Sequence, residues 1–593
     1  NIANREDFWV TEGLHFYLIK KYIDQHYPDK KILGSLLTLP LIKNLAKLYH
    51  LSELGFADGF KQYVEFIQRR NLQQPGFLFK EELIKFNERM GQHSHNALLM
   101  DYLEQNLDFD VLAFSAKASA SKWTGEKLKN EFIAAQKTSY QKQISSLLQK
   151  RTSIDLKLKK QSFSKDSIRF SVEEKSGYTL PFDVALLQKD SVVSRKTYFP
   201  TNKKSILQFS KSEADYLQVY YPEIPDFNPR NNVRKLKGFS KPFKFTFVKD
   251  IEDPKKNQIF FNPRLNFNIY DGLSFGVRLN NKTIKSRHLT VVAQPIYSSL
   301  ERTLIGSFSA SYLKYKENSR NHFTQLGLVA NSFHYDQGLR YTLFLPYLNF
   351  YLRNNDLRNN KRELITLAGY HVNREQNSNA LNHPNYNVVS LSYLFSKNEA
   401  IDYFTFKGGL QASDQFGKME TTTEFRKLLR SGRQFSFRAY TGKFLWHNTA
   451  SNFFDFSLNR PNDYLFQYNF LGRSEETGLY SQQFIMAEGG FKTSIPQPYA
   501  NDFILATNLS IGVWKYLEVY GDWAMIKRKN QAAKGYFDTG LRLNILPDYL
   551  ELYFPIYSSL GWSFDTGNYD EKLRFVITVD PKALTGLFSR KWF

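Results

Sequence analysis

The stretch Thr303–Lys316 reads TLIGSFSASYLKYK. In an extended chain Leu304, Gly306, Phe308, Ala310 and Tyr312 fall on one face, and Ser307, Ser309 and Ser311 on the other. Successive side chains of a strand point to opposite sides, so this is a strand with one apolar and one polar face. The pattern recurs. LRFVITVD (573–580) sets Leu573, Phe575, Ile577 and Val579 against Arg574, Thr578 and Asp580, and KYLEVYGDWAMI and KGYFDTGLRLNIL repeat the arrangement. From about Phe261 to the C-terminus there are roughly 14–16 such segments, most of about 9–14 residues, which suits tilted strands that cross a bilayer in about 9–11 residues. Polar connections such as LRNNDLRNNKR separate them.

The reading is an antiparallel transmembrane β-barrel with its apolar face to lipid and its polar face to the lumen. Closing the sheet satisfies every backbone group within the hydrocarbon. Half of each strand is polar, which reconciles a membrane location with a mean hydropathy of −0.47. Aromatics crowd the strand ends, at Tyr347 and Tyr351, Tyr403 and Phe404, and Phe554 and Tyr557, as interfacial girdles require. A propeller would repeat at a fixed period of about 40–50 residues, and none is found. The last residues, FSRKWF, end on Phe593 and resemble the sorting signal of bacterial outer-membrane barrels.

Composition agrees. Of 593 residues, 52 are Phe and 36 Tyr but only 7 Trp, and there is no Cys, which excludes disulfides, thiolate metal sites and a cysteine nucleophile. The formal charge of +23 is scattered along the chain instead of gathered into a basic arm. No nucleic-acid motif accompanies it, so an anionic membrane surface is the expected partner and nucleic acid is not. No stretch reaches the roughly 20 apolar residues of a transmembrane helix. No signal peptide is seen at Asn1, which suggests a chain that starts inside a longer precursor.

Residues 1 to about 150 read as helical. Apolar residues recur at three- and four-residue spacings in Lys31–Leu51, Asp58–Arg70, His95–Leu107 and Glu126–Lys150. Near Thr152 the period changes to two, in SIDLKLKK, SIRFSVEE, PFDVALL and DYLQVYYP, which predicts a small β-sandwich. The Pro-, Asn- and Lys-rich YPEIPDFNPRNNVRKLKG (Tyr221–Gly238) reads as a linker. The chain thus divides into a helical region (1–150), a sandwich with its linker (152–237) and a barrel (238–593).

Near the start, FWVTEGLHFYLIKKYI (Phe8–Ile23) places Trp9, Val10, Thr11, Glu12 and Gly13 ahead of an aromatic helix. This resembles the third-ligand region of the M1 aminopeptidases, the gluzincins, and Asn4–Phe8 is similar to that family's approach to the helix. The resemblance implies zinc, with Glu12 as the carboxylate that completes two imidazoles and leaves a position for water. His-Glu-x-x-His occurs nowhere in the sequence and only eleven residues precede Glu12, so the imidazole ligands would lie upstream. The family's oxyanion tyrosine falls in QHSHNALLMDYLEQNL, where His93 stands in its place and Asn96 replaces a glycine. His93 is therefore the candidate catalytic residue, since an imidazole can also donate to an oxyanion. His93 and His95 point about 200° apart on a helix and cannot share one ion.

The whole layout looks like that of large Bacteroidetes envelope proteins in which an M1-like region precedes an outer-membrane barrel. Two readings follow. One is an outer-membrane-anchored zinc metallopeptidase, its soluble region periplasmic and its substrate a peptide N-terminus. The other is a degenerate scaffold, an accessory subunit of an outer-membrane complex for protein export, barrel insertion or nutrient uptake. A porin-like channel depends on what fills the lumen, into which Lys407, Arg426 and Arg438 are expected to project alongside Glu420 and Glu424.

Overall fold

A computed structural model describes residues 5–577 of the chain, apart from 35, 37–38, 152, 164–166, 190, 211–213, 239–240, 377–382, 400, 469–477, 547 and 566. The FSRKWF end and positions 578–580 of the last expected strand lie outside the described residues.

The N-terminal part is helical, as its periodicity predicts. The helices are α1 (Phe8–His26), α2 (Pro40–Ala46), α3 (Asp58–Gln68), α4 (Gln92–Leu107), α5 (Val111–Ala120), α6 (Gly125–Ala134) and α7 (Thr138–Gln149). Two expectations need correction. Of Lys31–Leu51 only α2 is α-helical, because Pro40 can sit only in a first turn. Glu126–Lys150 is broken between α6 and α7.

The helix α1 crosses α4 with backbones close together. A Cβ on Gly13 would stand 2.9 Å from the Asn96 Cβ and 3.2 Å from the Met100 Cε. Asn96 is buried there, and its side-chain amide donates to the Trp9 carbonyl at 3.1 Å. Replacing Gly13 with Val should overpack this crossing at a cost of about 1–3 kcal/mol. The expected readout is faster amide exchange in α1 and α4, with the barrel strands unchanged.

Two small sheets follow. One has three strands (Leu156–Phe163, Ser167–Glu174, Lys204–Ser210). The other has four (Phe182–Gln188, Ser191–Tyr198, Tyr216–Tyr220, Val233–Lys235). Leu156, Leu158, Phe170, Val172, Val184 and Val219 share one buried cluster with Trp9, Tyr17, Leu103 and Phe132 of the helices. Residues 221–238 are packed, not a free linker. Tyr221, Ile224 and Val233 are buried, and Asp226 accepts from the backbone N–H of Leu156 at 2.7 Å. Proline and asparagine marked turns here, and the apolar residues between the turns decide the packing.

The rest is one sheet closed into a barrel. Eighteen strands are assigned to it among the described residues, against the 14–16 read from the sequence. The difference lies in two short pieces, one ahead of the Phe261 start and one too short to show a period. Phe243–Phe247 pairs parallel to Asn257–Asn268, and the two-residue Gly561–Trp562 pairs with Leu550–Ser558. The other barrel strands pair antiparallel, each with its sequence neighbour except across an insertion at 448–502. The strand of Thr303–Lys316 runs from Leu304 to Tyr315. Leu304, Phe308 and Tyr312 are 40–66% exposed on its outer face, while Ile305 is buried.

Connections differ at the two ends. At one end they include the turns 354–360, 429–433 and 515–516, and this is the end that meets the helical part. At the other they include 375–384 and the insertion 448–502.

Candidate functional site

The residues singled out near the N-terminus are brought together on adjacent helices. Glu12 lies on α1, its Oε2 3.7 Å from His15 Nδ1. His93 lies on α4, buried between the rings of Phe8 (centroids 4.9 Å) and Phe16 (5.0 Å). Burial lowers the imidazole pKa, Glu12's negative charge opposes that, and the ring is hydrogen-bonded to the Glu88 backbone. A neutral imidazole has one N–H to give. Once that proton is on the Glu88 carbonyl, none is left for an oxyanion. His95 instead pairs with Asn96, Nδ1 to Oδ1 at 3.1 Å. Among the described residues no three His, Asp or Glu side chains converge on a point where a metal would sit. Glu12 and His15 supply two donors, so a zinc held at Glu12 would take its imidazoles from the upstream region that the resemblance implies.

The lumen offers a more developed site. The described residues of 448–502 leave the strand Gln434–His447 and fold back inside the barrel before Phe503–Trp514 resumes the wall. Phe454, Phe456, Leu458, Tyr464, Phe491 and Ile495 of this plug are buried against inward residues of the wall, including Tyr341, Leu343, Val372, Val388, Ile504 and Ile526. A short ladder, Phe456–Ser457 with Tyr499–Ala500, staples the two ends of the plug together.

Buried cations fasten it. Lys418 projects from the strand Phe416–Leu428 and is 2% exposed. Its ammonium lies 4.8 Å from the Phe456 ring centroid and 4.7 Å from that of Tyr464, and donates to the Phe454 carbonyl at 3.3 Å. All three partners belong to the plug, so wall and plug are joined by cation–π contacts in a desolvated setting where these are strongest. Lys492 reverses the direction, reaching from the plug to Asp522 of the wall at 2.8 Å, beside the rings of Tyr520 and Tyr553. Asp538 accepts from the backbone N–H groups of Lys492 and Thr493 at 2.9 and 2.7 Å. Arg438 donates to the carbonyl of Glu488 at 3.0 Å and to Asn508 at 2.8 Å.

Beside the plug the lumen keeps a polar cavity of about 550 Å³, lined by Lys407, Glu420, Glu424, Arg438, Tyr440 and Glu488 among others. A second cavity of about 250 Å³ shares Glu424 and Arg438 and adds Arg426, Arg542, Asp548 and Glu551. Most of these charges are matched within the wall. Arg426 makes a two-point contact with Asp548 at 2.8 and 3.1 Å, and Arg542 meets Glu518 and Glu551. The lumenal placement expected for Lys407, Arg426, Arg438, Glu420 and Glu424 is what the structure has. The plug was not foreseen.

Neither a family model nor a curated protein matches the chain. Solved structures give weak likenesses. BamA from Haemophilus ducreyi lacking POTRA domains 1–3 is 9% identical with a TM-score of 0.29, over 51% of this chain and 69% of that one. CdiB from Acinetobacter baumannii is 9% identical at 0.25, over 50% and 57%. The outer membrane protein OprD from Pseudomonas aeruginosa is 12% identical at 0.23, over 66% and 92%. At TM-scores this low the function has to be argued from the chain's own geometry.

That geometry also fixes the helical part to one mouth of the barrel. Glu252, in the connection between Phe243–Phe247 and Asn257–Asn268, accepts from Arg69 at the end of α3 at 2.5 Å and from Arg287 at 3.0 Å. Glu65 of α3 pairs with Lys285. The Asn71 amide donates to the carbonyls of Lys316 and His322 at 2.9 and 3.0 Å, and Gln73 donates to Glu317 at 2.9 Å. Asn318 returns a bond to the Arg151 carbonyl at 3.0 Å. These side chains are largely buried, so the two parts meet in a hydrogen-bonded joint beside a cavity of about 400 Å³ lined by Arg69, Arg230, Glu252 and Arg287 among others.

Proposed function

We propose that the chain is an outer-membrane β-barrel, closed as a channel by its own lumenal plug, that acts as a scaffold or accessory subunit of an outer-membrane assembly. The observation that carries this reading is the filled lumen. A barrel of 16–18 strands leaves a water channel about wide enough for solutes when nothing occupies it. Here aromatic side chains of 448–502 occupy it. The wall fits a bilayer, with apolar side chains such as Leu304, Phe344, Leu391 and Leu410 exposed outward. Membrane barrels carry short turns on the periplasmic side and long loops outside. By that rule the helical part, docked at the end with turns such as 515–516, is periplasmic, and the plug enters from the outer side.

A barrel whose lumen is largely filled and that holds a folded body at its periplasmic mouth is built to position that body. This supports the scaffold over the peptidase. Extracted from native membranes in mild detergent, the protein should migrate as a complex well above the mass of its own denatured monomer. A lone monomer under those conditions contradicts the scaffold role. Zinc separates the two readings independently. Zinc content should be the same in the wild type and in Glu12→Ala, whereas stoichiometric zinc that vanishes in Glu12→Ala would restore the peptidase, with Glu12 as ligand and a peptide as substrate.

A further inference from the structure

Residues 30–52 contain Lys30, Lys31, Lys43 and Lys47 and no Asp or Glu. Among their described apolar side chains, five stay outside the protein's core. Leu36, Leu39, Ile42, Leu45 and Leu48 are each 36–55% exposed, in and around α2. A soluble domain rarely leaves five neighbouring large aliphatic residues in water, and such a patch marks a binding surface.

Its place in the fold indicates what covers it. Just beyond α2, the backbone N–H groups of His50 and Leu51 donate to the buried carboxylate of Asp250, at 2.5 and 3.0 Å. Asp250 stands two residues after Val248, at the end of the barrel strand whose Phe243, Phe245 and Phe247 point outward and are 44–67% exposed. Three residues lie between Ala46 and His50, so α2 ends within four Cα steps, about 14 Å, of that anchor even at full stretch. The aliphatic patch is thus tethered where the lipid-facing wall meets the periplasmic boundary.

We infer that Lys30–Leu51 is an interfacial membrane anchor, lying on the periplasmic leaflet beside the barrel. Its leucines enter the boundary between headgroups and acyl chains, and its lysines meet anionic phospholipid headgroups. Segments of this composition bury their apolar side about 5–10 Å into that boundary, and basic side chains add electrostatic attraction to acidic lipids. The anchor holds the helical part against the bilayer at a second point, apart from the Glu252 joint. This rests on the barrel's spanning the membrane, and the test separates the two claims.

The chain has no cysteine, so single labels are clean. Leu45→Cys and, on the outer face of the strand Asn385–Asn398, Leu391→Cys each carry an environment-sensitive fluorophore in the full chain. The protein is reconstituted into phosphatidylethanolamine–phosphatidylglycerol vesicles with lipids bearing a quencher near the headgroup or deep in the acyl chain. The label at 391 should lose most of its emission to the deep quencher, and the label at 45 most of its emission to the shallow one. If 391 is quenched as expected while 45 responds only to aqueous iodide, the anchor is overturned and the barrel stands. A label at 45 shielded from iodide and from both lipid quenchers means that protein covers the patch, which also overturns the anchor. If 391 itself escapes both lipid quenchers, the membrane reading fails and the anchor with it. Leu48→Cys repeats the measurement should Leu45→Cys not fold.

Discussion

Excising residues 449–500, with Asn448 joined to Asn501 through a short Gly-Ser turn, is expected to turn a silent barrel into a wide conducting pore. The wall keeps its main ladder without the plug, since the strands on either side, Gln434–His447 and Phe503–Trp514, pair directly with each other, and among the described residues it gives up one backbone bond, from the Phe484 N–H to the Phe575 carbonyl at 2.8 Å. Removing the plug uncovers Tyr341, Val372, Val388 and Ile526 to lumenal water and frees Lys418 and Asp522 from their partners. The two charges are then hydrated, not stranded, so the cost is chiefly the lost apolar contact, at about 25 cal/mol per Å². In planar bilayers the intact protein should show almost no steps and the excised form large ones, at least tenfold greater in conductance. Equal conductance in the two forms would mean that the plug does not seal the lumen.

The second large effect is expected at the joint. Glu252→Ala leaves Arg69 and Arg287 buried and facing each other, with Glu65 at 3.7 Å from Arg69 answering only part of their charge and Arg230 4.0 Å from where Glu252 stood. Breaking a buried ion network by removing one partner costs about 3–5 kcal/mol. The barrel's own ladder is untouched, so the loss should appear as undocking. Amide exchange should quicken at the end of α3 and in residues 281–288, and proteases should cut there. Glu252→Gln keeps part of the hydrogen bonding and should fall between. Acid should act in the same direction. Burial alone would raise the Glu252 carboxyl, but Arg69 and Arg287 hold it below its usual pKa. A carboxylate with a depressed folded pKa contributes stability above its unfolded value, about 4.3, and loses it as pH falls through the folded one. The joint should therefore hold at neutral pH and open only in strong acid.

The barrel was legible because alternation with period two is a direct imprint of a two-faced wall, and Thr303–Lys316 shows it plainly. The plug was not, because 448–502 has no period. Aromatic residues such as Phe453, Phe454 and Phe456 make a core only with partners supplied by distant strands. One trace of it was present. Near the plug the inward positions Leu343, Val388, Ile504 and Ile526 are apolar although the neighbouring outward positions are apolar too, and a water-filled lumen has no use for them. The helical spacing of Lys31–Leu51 misled for a related reason. Its leucines repeat as if for a core, but they are turned to the outside. The two stretches that carry the gluzincin resemblance fold as α1 and α4, which cross. The helix contact is explained by Gly13 and Asn96, which let the backbones approach, and needs no metal.

The central claim is a wall with lipid outside and water within, and spin labels placed one by one along Leu304–Tyr315 in reconstituted vesicles test it most directly. Collision with oxygen, which concentrates in lipid, should peak at 304, 306, 308, 310 and 312, and collision with a water-soluble nickel complex at the odd positions between them. Uniform exposure to the nickel complex along the strand, in protein that stays dispersed without detergent or lipid, would contradict the account.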